Sequence, residues 1–391
     1  MAAQPPHRPV RAREPLEPRR DPAPEAPAAQ GPDPPHRGQG GGEGTDSGPA
    51  RSVSSEREGE DHAGTLSREE AQGPAGGTQA QDDAAGGRTR DEGPPVRGSV
   101  ESFGTRFSSP VLLASGTCGF GEPVVDVMAP EAVGGLVTKS VTVRPRRGNP
   151  APRVAEYPGG MLNSVGLANP GVEAVREEKL PWMRRNLGTL PVFVSVAGAR
   201  SEEYARVVGE LDGEEGFLGF ELNLSCPNDS HLGGRPFCLD SEALREVLGL
   251  VRPLTERPLV VKLAPNDPDI GGTAALAVAC GADGITAINT LPGFLSGGRG
   301  EARLGAGRGG VSGPAVLPVG LAAVREVAAA VDVPVIGVGG ILKGGDARAY
   351  LDAGASLVQV GTGSFADPRC AARVARELGS GPFPRAARAA R

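Results

Sequence analysis

The chain has 391 residues, a formal net charge of −6, 60 glycines, 38 prolines and only 4% aromatic residues. The negative charge gives no electrostatic support for non-specific binding to nucleic acid. Three of the four histidines lie before residue 63, and the five cysteines never form a C-x-x-C pair. This pattern argues against a zinc, iron–sulfur or multi-histidine centre and favours a reducing, cytoplasmic location, so no metal site is predicted.

Residues 1–98 are rich in Pro, Gly, Ala, Glu, Asp and Arg and contain no Phe, Trp, Tyr, Ile or Cys. Such a segment cannot bury enough apolar surface to offset the entropy lost on ordering, so we predict a disordered extension. Because it has no continuous apolar run, neither a secretory signal nor a membrane anchor is expected there. Its many acidic residues argue against a transit peptide.

Residues 99–385 have the size of one large α/β domain, in which short apolar runs alternate with helical patterns. The predicted strands are 110–114, 135–139, 192–196, 219–224, 259–263, 284–289, 335–338 and 357–360. The predicted helices are 124–132, 171–186, 202–211, 241–251, 270–280, 314–330, 345–353 and 367–378. This alternation predicts a parallel (β/α)8 TIM barrel. An open doubly wound sheet is the alternative, but no G-x-G-x-x-G follows the first strand.

Two of the connections between the predicted elements are unusually long, 140–169 and 290–313. Loops at the carboxyl ends of barrel strands carry the chemistry of this fold. We therefore expect both connections to shape a substrate site.

The fourth predicted strand runs into a cysteine that is flanked by Asn223 and Asn228. Pro227 has no N–H to continue a β-ladder, so Cys226 is expected at the carboxyl end of the strand. There it could exchange a proton with a substrate that the two amides hold. An isolated cysteine is more often a small buried hydrophobe, but these polar neighbours favour a catalytic role.

Two lysines are predicted at strand ends on the same rim, Lys139 on the second strand and Lys262 on the fifth. One such lysine could simply extend to solvent, but two indicate an anionic or electron-rich ligand between them. Glycine-rich segments at 337–341 and 360–363 follow the last two strands, where backbone N–H groups can approach a phosphate. Phosphate loops, two amines and several amides together suit flavin mononucleotide (FMN).

A series of short motifs occurs in order along the chain: 114–117 (ASGT), 138–142 (TKSVT), 148–150 (GNP), 163–167 (NSVGL), 222–228 (LNLSCPN), 261–263 (VKL), 288–290 (INT), 312–314 (SGP) and the two glycine-rich segments. In these motifs the chain resembles the dihydroorotate dehydrogenases, and the resemblance covers nearly all residues from Phe103 to Pro368. Cysteine at position 226 is typical of the cytosolic class 1 enzymes, since the membrane-associated class has serine there. Residues 153–156 and 160–163 look most like the NAD-linked subfamily, class 1B.

The resemblance implies a role for each of the rim residues. Cys226, as a thiolate, would remove a proton from C5 of dihydroorotate while hydride leaves C6 for N5 of FMN, and Lys139 would bridge flavin and substrate charge. The implied substrate-binding residues are Lys139, Asn163, Ser164, Val165, Gly166, Leu167, Asn223, Asn289 and Thr290. The implied FMN-binding residues are Ser115, Lys139, Ser140, Ser195, Asn223, Lys262, Ile288, Gly313, Gly339, Gly340, Gly361 and Thr362.

Ser195 departs from the family pattern, which has an asparagine at this position in contact with FMN; serine has a shorter reach. In the NAD-linked subfamily, a second subunit carries FAD and an iron–sulfur cluster. The resemblance therefore implies such an electron-transfer partner, with a homodimer of barrels or a heterotetramer as the assembly. No membrane association is expected.

Four other functions are compatible with parts of the pattern. A flavoenzyme similar to dihydropyrimidine dehydrogenase would reduce uracil or thymine, and a fumarate-linked class 1 dihydroorotate dehydrogenase would need no partner subunit. A cysteine hydrolase using Cys226 and His231 is disfavoured, because five residues on one loop give poor geometry and no third group orients the base. A flavin-binding scaffold without activity would not require Cys226, Lys139 and Asn289 together.

Overall fold

The computed structural model describes residues 98–225, 236–298 and 300–379. The predicted disordered extension lies outside the described residues except for Gly98, so its disorder and its boundary stay predictions. Cys226, Asn228 and His231 also lie outside the described residues.

Fourteen strands are present in the described part of the chain. They are β1 (Val100–Ser102), β2 (Thr105–Phe107), β3 (Val111–Leu113), β4 (Gly135–Val137), β5 (Val154–Tyr157), β6 (Gly160–Asn163), β7 (Val192–Val196), β8 (Gly219–Asn223), β9 (Leu259–Lys262), β10 (Gly284–Ala287), β11 (Leu291–Gly293), β12 (Gly309–Ser312), β13 (Val335–Val338) and β14 (Leu357–Val360).

The helices of the same residues are α1 (Glu122–Val125), α2 (Val172–Ala174), α3 (Leu180–Asn186), α4 (Ser201–Leu211), α5 (Ser241–Val251), α6 (Ile270–Ala279), α7 (Leu317–Ala330), α8 (Gly344–Asp352), α9 (Gly363–Ala366) and α10 (Cys370–Leu378). Short 3₁₀ turns occur at Pro130–Ala132, Phe237–Leu239, Arg252–Leu254 and Pro314–Val316, and a π-turn at Val175–Lys179 joins α2 to α3. None of these helices combines the length and the apolar character that crossing a membrane requires.

Eight of the strands close a parallel barrel in the order β3-β4-β7-β8-β9-β10-β13-β14, with β14 paired to β3. The TIM-barrel prediction is therefore confirmed, and every predicted strand overlaps one of these eight. The strands are mainly apolar because both of their faces are buried: helices cover the outside and side chains fill the inside.

In six of the eight barrel strands, all except β8 and β10, alternate residues enter two different apolar clusters. Outward-facing residues such as Val194 and Leu222 join the core between barrel and helices. Inward-facing Phe193, Val260 and Ile336 form a second apolar cluster inside the barrel. The β1–β2 hairpin packs against this inner cluster through Phe107, with Val100 and Phe103 beside it.

The two long connections pair with one another, which the sequence did not predict. β5 and β6 from the first and β11 and β12 from the second form an antiparallel sheet in the order β11-β12-β6-β5. Exposed or partly exposed residues alternate with buried ones in β5 and β12. Residues of β6 and β12 line the same cavity as the carboxyl ends of the barrel strands, so this small sheet forms a wall there.

Candidate active site

One cavity of about 290 Å³ lies at the carboxyl ends of the barrel strands, near the lower end of the ~300–1,000 Å³ range of small-molecule pockets. The structure brings together in its lining every predicted site residue except Ser195 and Cys226. They are Ser115, Lys139, Ser140, Asn163, Ser164, Val165, Gly166, Leu167, Asn223, Lys262, Ile288, Asn289, Thr290, Gly313, Gly339, Gly340, Gly361 and Thr362.

Glycines after β13 and β14 form one end of the cavity. Gly340 has φ +74°, and a Cβ on it would lie 2.7 Å from Leu317 Cβ, so a larger residue cannot replace it without strain. The buried Tyr350 hydroxyl donates to the Gly339 carbonyl at 2.8 Å and holds this loop from below. Burial raises the pKa of Tyr350 far above its ordinary value, so this hydroxyl keeps its proton to donate.

Two lysines approach the cavity from opposite sides of the barrel. Lys139 follows β4, and its ammonium lies 3.9 Å from the position that a Cβ on Gly116 would occupy. Lys262 ends β9, and its ammonium lies 3.5 Å from Glu221 Oε1 inside the barrel. The other oxygen of Glu221 accepts from Thr286 at 3.0 Å and from Gln359 at 2.9 Å.

A network of amides and hydroxyls crosses the cavity from β8 to β10. Asn289 Nδ2 donates to Asn223 Oδ1 at 3.2 Å and to Ser225 Oγ at 2.8 Å, while Ser225 donates to Asn223 Oδ1 at 3.3 Å. Asn223 Nδ2 donates to Ser140 Oγ at 3.3 Å, and Asn289 Oδ1 accepts from the Thr290 N–H at 2.7 Å. These contacts fix the orientation of both amides, which can then offer defined donors and acceptors to a planar ligand.

The 163–167 segment faces the cavity from the small sheet. Asn163 Nδ2 donates to the Gly310 carbonyl at 3.2 Å, which ties β6 to β12. Asn149 Nδ2 donates to Ser164 Oγ at 2.8 Å and supports the segment from outside. Leu167 has φ +52°, an unusual value for a leucine.

Ser195 does not line the cavity. It is wholly buried on β7, and its hydroxyl lies 2.9 Å from that of Ser140, which does line the cavity. Ser195 therefore contacts the site through Ser140. Cys226 follows Ser225 directly in sequence but is outside the described residues.

Sequence reasoning missed three residues that organise the site: Glu221, Ser225 and Tyr350. The sequence could have indicated Glu221, because it is an isolated acidic residue in a mainly apolar strand. Ser225 belongs to the 222–228 motif, but its contact with Asn289 depends on the fold. Tyr350 looked like an ordinary helical residue, since its hydrogen bond to the loop after β13 is a tertiary contact.

The donor set of the cavity suits a ligand with a phosphate at one end and a planar, carbonyl-bearing ring at the other. The glycine loops provide backbone N–H groups beside the helix that begins at Gly363. Lysine ammonium groups and fixed amides provide donors for ring oxygens.

Comparisons with known proteins identify the family of the chain. The family model described as dihydroorotate dehydrogenase matches residues 98–381. The catalytic subunit of dihydroorotate dehydrogenase B (NAD(+)) from Citrifermentans bemidjiense is 45% identical over 281 residues, covering 72% of this chain and 91% of that protein. The protein with the same name from Desulforudis audaxviator is 44% identical over 284 residues, covering 72% and 92%.

A solved structure of DHODH from Eimeria tenella, in complex with ferulenol, matches with a TM-score of 0.61 and 24% identity. It covers 74% of this chain and 85% of that chain, and at this identity it supports the fold alone. The sequence matches go further and confirm the resemblance stated above. The chain is an oxidoreductase that belongs to the dihydroorotate dehydrogenase family.

Proposed function

We propose that this protein oxidises (S)-dihydroorotate to orotate in pyrimidine biosynthesis, with FMN as its bound cofactor. The observation that carries the proposal is the hydrogen-bonded set of Asn223, Asn289 and Ser225 in the same cavity as Lys139 and the glycine loops. Fixed amide groups suit the edge of a pyrimidinedione, which alternates donors and acceptors. Glycine loops suit a phosphate.

The residues that would hold FMN fall into two sets. Gly339, Gly340, Gly361 and Thr362 would bind its phosphate through backbone groups. The ring would lie against Ser115, Lys139, Ser140, Asn223, Lys262, Ile288 and Gly313, with Ser195 contributing through Ser140. The chemistry that FMN supplies when bound is acceptance of the hydride from C6 of the substrate.

The remaining steps belong to the side chains of this chain. Asn163, Asn223, Asn289 and Thr290, with the 164–167 segment, would orient the substrate ring and its carboxylate. Lys139 would neutralise negative charge between substrate and cofactor. Cys226 would remove the C5 proton, so that loss of a proton and a hydride together yields the C5–C6 double bond of orotate.

We further propose that the electrons pass to NAD through a second subunit that carries FAD and an iron–sulfur cluster. The support is that the matched relatives are named catalytic subunits of an NAD(+) enzyme. The assembly would be a homodimer of barrels bound to two partners, in the cytoplasm. The alternative is a fumarate-linked enzyme that needs no partner.

An anaerobic visible spectrum of the purified full-length chain tests the proposal. We expect a yellow protein whose flavin absorbance bleaches when dihydroorotate is added. Fumarate, or NAD with the partner subunit, can then be tested for reoxidation. A yellow protein that bleaches only with another reductant would contradict the substrate assignment. A colourless protein that does not bind added FMN would contradict the cofactor assignment.

A further inference from the structure

A buried ion pair lies directly beneath the cavity. Glu221 on β8 and Lys262 on β9 have side chains that are only 1% and 8% exposed, with 3.5 Å between Oε1 and Nζ. Both face the barrel interior, because their strand neighbours Phe220, Leu222 and Val261 belong to the outer core. Lys262 lines the cavity, whereas Glu221 does not.

A buried ion pair is weak evidence for a contribution to the stability of a fold. Removing two charges from water costs about as much as their attraction returns, and two apolar residues of similar size are often as stable or better. The inward positions at the other end of the barrel are apolar, for example Val260 and Ile336. Charged residues at the cavity end therefore indicate a role in the site.

The carboxylate is held rigidly and leaves the lysine partly available. Thr286 and Gln359, both wholly buried, donate to Glu221 Oε2, so Oε1 is directed to the ammonium. Among the described residues, Glu221 is the recorded hydrogen-bond and ion-pair partner of Lys262. An ammonium has three donors, so two are left for a ligand in the cavity.

We propose that Glu221 is a positioning residue that anchors the Lys262 ammonium against the bound flavin, and that through Lys262 it sets the flavin's affinity and reduction potential. This inference rests on the proposed FMN site and adds to it a residue outside the cavity lining. Without the carboxylate, Lys262 would be a buried cation without its counter-charge and would leave its position.

A double-mutant cycle on the full-length protein tests the inference, with Glu221→Gln, Lys262→Met and the double variant. The measurements are the Kd for FMN, from quenching of flavin fluorescence, and the midpoint potential of the bound flavin. Lys262→Met should lower the potential, because a positive charge favours the more negative reduced flavin, and should weaken FMN binding roughly tenfold. Glu221→Gln should likewise lower the midpoint potential and weaken FMN binding.

The decisive result is the dependence of one substitution on the other. We expect Glu221→Gln to change neither quantity further in the Lys262→Met background, as required if Glu221 acts through Lys262. An equal effect in both backgrounds, or no effect in either, would overturn the proposal. Thr286→Val removes one donor to the same carboxylate but keeps both charges and the Gln359 donor, so it should shift FMN affinity in the direction of Glu221→Gln by less than threefold.

If Glu221→Gln fails to fold, Glu221→Asp can replace it, because it retains the charge and withdraws the carboxylate by one methylene. It is expected to change the Kd for FMN and the midpoint potential in the same directions by smaller amounts. If the wild-type protein does not bind FMN, the proposed function fails. If it binds FMN and is reduced by dihydroorotate but shows no coupling between the two residues, only this inference fails.

Discussion

Asn289 and Asn223, which follow different barrel strands, are joined by a hydrogen bond of 3.2 Å from the Nδ2 of Asn289 to the Oδ1 of Asn223. Ser225 completes a triangle by accepting from Asn289 and donating to Asn223. Each amide therefore depends on the other for its orientation, and the proposed substrate-binding residues on this side of the cavity are expected to act together.

Asn289→Ala should raise the Kd for orotate at least tenfold while leaving bound FMN in place. It removes a proposed substrate contact and also takes one hydrogen bond from Asn223 and one from Ser225, each of which contributes about 0.5–1.5 kcal/mol. Difference spectra of the flavin on orotate titration measure this. Asn186→Ala is the control, since it deletes an exposed amide whose side-chain hydrogen bond, within the described part of the chain, goes to the Trp182 carbonyl. Equal orotate affinity in both variants would remove Asn289 from the site.

Ser225→Ala should have a milder effect of the same kind. The variant loses two hydrogen bonds within the network but no proposed substrate contact, and each such bond contributes about 0.5–1.5 kcal/mol. We expect orotate binding to weaken by about two- to tenfold, measured in the same titration. A loss as large as that of Asn289→Ala would mean that Ser225 itself contacts the substrate.

Cys226→Ala should retain FMN but reduce the rate of flavin reduction by dihydroorotate by about 10²- to 10⁴-fold, the usual contribution of a general base. Stopped-flow absorbance under anaerobic conditions measures this rate. Cys226→Ser should be slow near neutral pH and recover as pH rises, because a hydroxyl is much less acidic than a thiol. Reduction at the wild-type rate over the whole pH range would exclude a thiolate base.

Gly340→Ala should weaken FMN binding at least tenfold. The added Cβ would lie 2.7 Å from Leu317 Cβ. The alanine would also have to adopt φ +74°, and this backbone strain alone costs about 1–3 kcal/mol. Gly345→Ala, five residues later in α8, is the control because its Cβ meets only Lys343 Cε at 4.0 Å. This control should be neutral or slightly more stable, by up to about 1 kcal/mol. Equal FMN affinity would argue against a phosphate site at Gly340.

Cys118 and Cys238 should make the protein less stable at alkaline pH. Burial raises the pKa of each thiol to about 12, whereas a cysteine thiol in an unfolded chain has a pKa of about 8.5. The folded state holds these protons more tightly, so their contribution is complete below about pH 8.5 and is lost as pH rises toward 12. Urea midpoints at pH 8 and pH 10 should differ, and Cys118→Ala/Cys238→Ala should reduce the difference. An unchanged difference would contradict this cause.

The sequence predicted the barrel well because its strands obey a local rule. A strand buried on both faces is mainly apolar, as in Val335–Val338 or Leu259–Lys262 before the final lysine. Helix limits were less accurate: the predicted helix 124–132 is only α1 and a 3₁₀ turn, and 367–378 begins at Cys370 after the separate helix α9.

The small antiparallel sheet escaped prediction because its strands are short and partly exposed, and their partners lie far away in sequence. The candidate site was predicted where a residue stands at a strand end, as Lys139 and Asn289 do. Residues that contact the site through a neighbour, as Glu221 does through Lys262 and Tyr350 through Gly339, are recognisable only from their contacts. The position of Ser195 beside Ser140 likewise required the packed barrel.

The pairing of β6 with β12 has a consequence for how the protein gains activity during folding. Asn163 and the Gly310 carbonyl that it contacts are 147 residues apart in the chain. Contacts of such separation carry a large loop-closure entropy and form after local structure. Four of the eight barrel strands, β7 to β10, lie within that interval, so the wall is expected to assemble only after these strands have formed. Binding of the pyrimidine ring is therefore expected to be among the last properties acquired on the folding pathway.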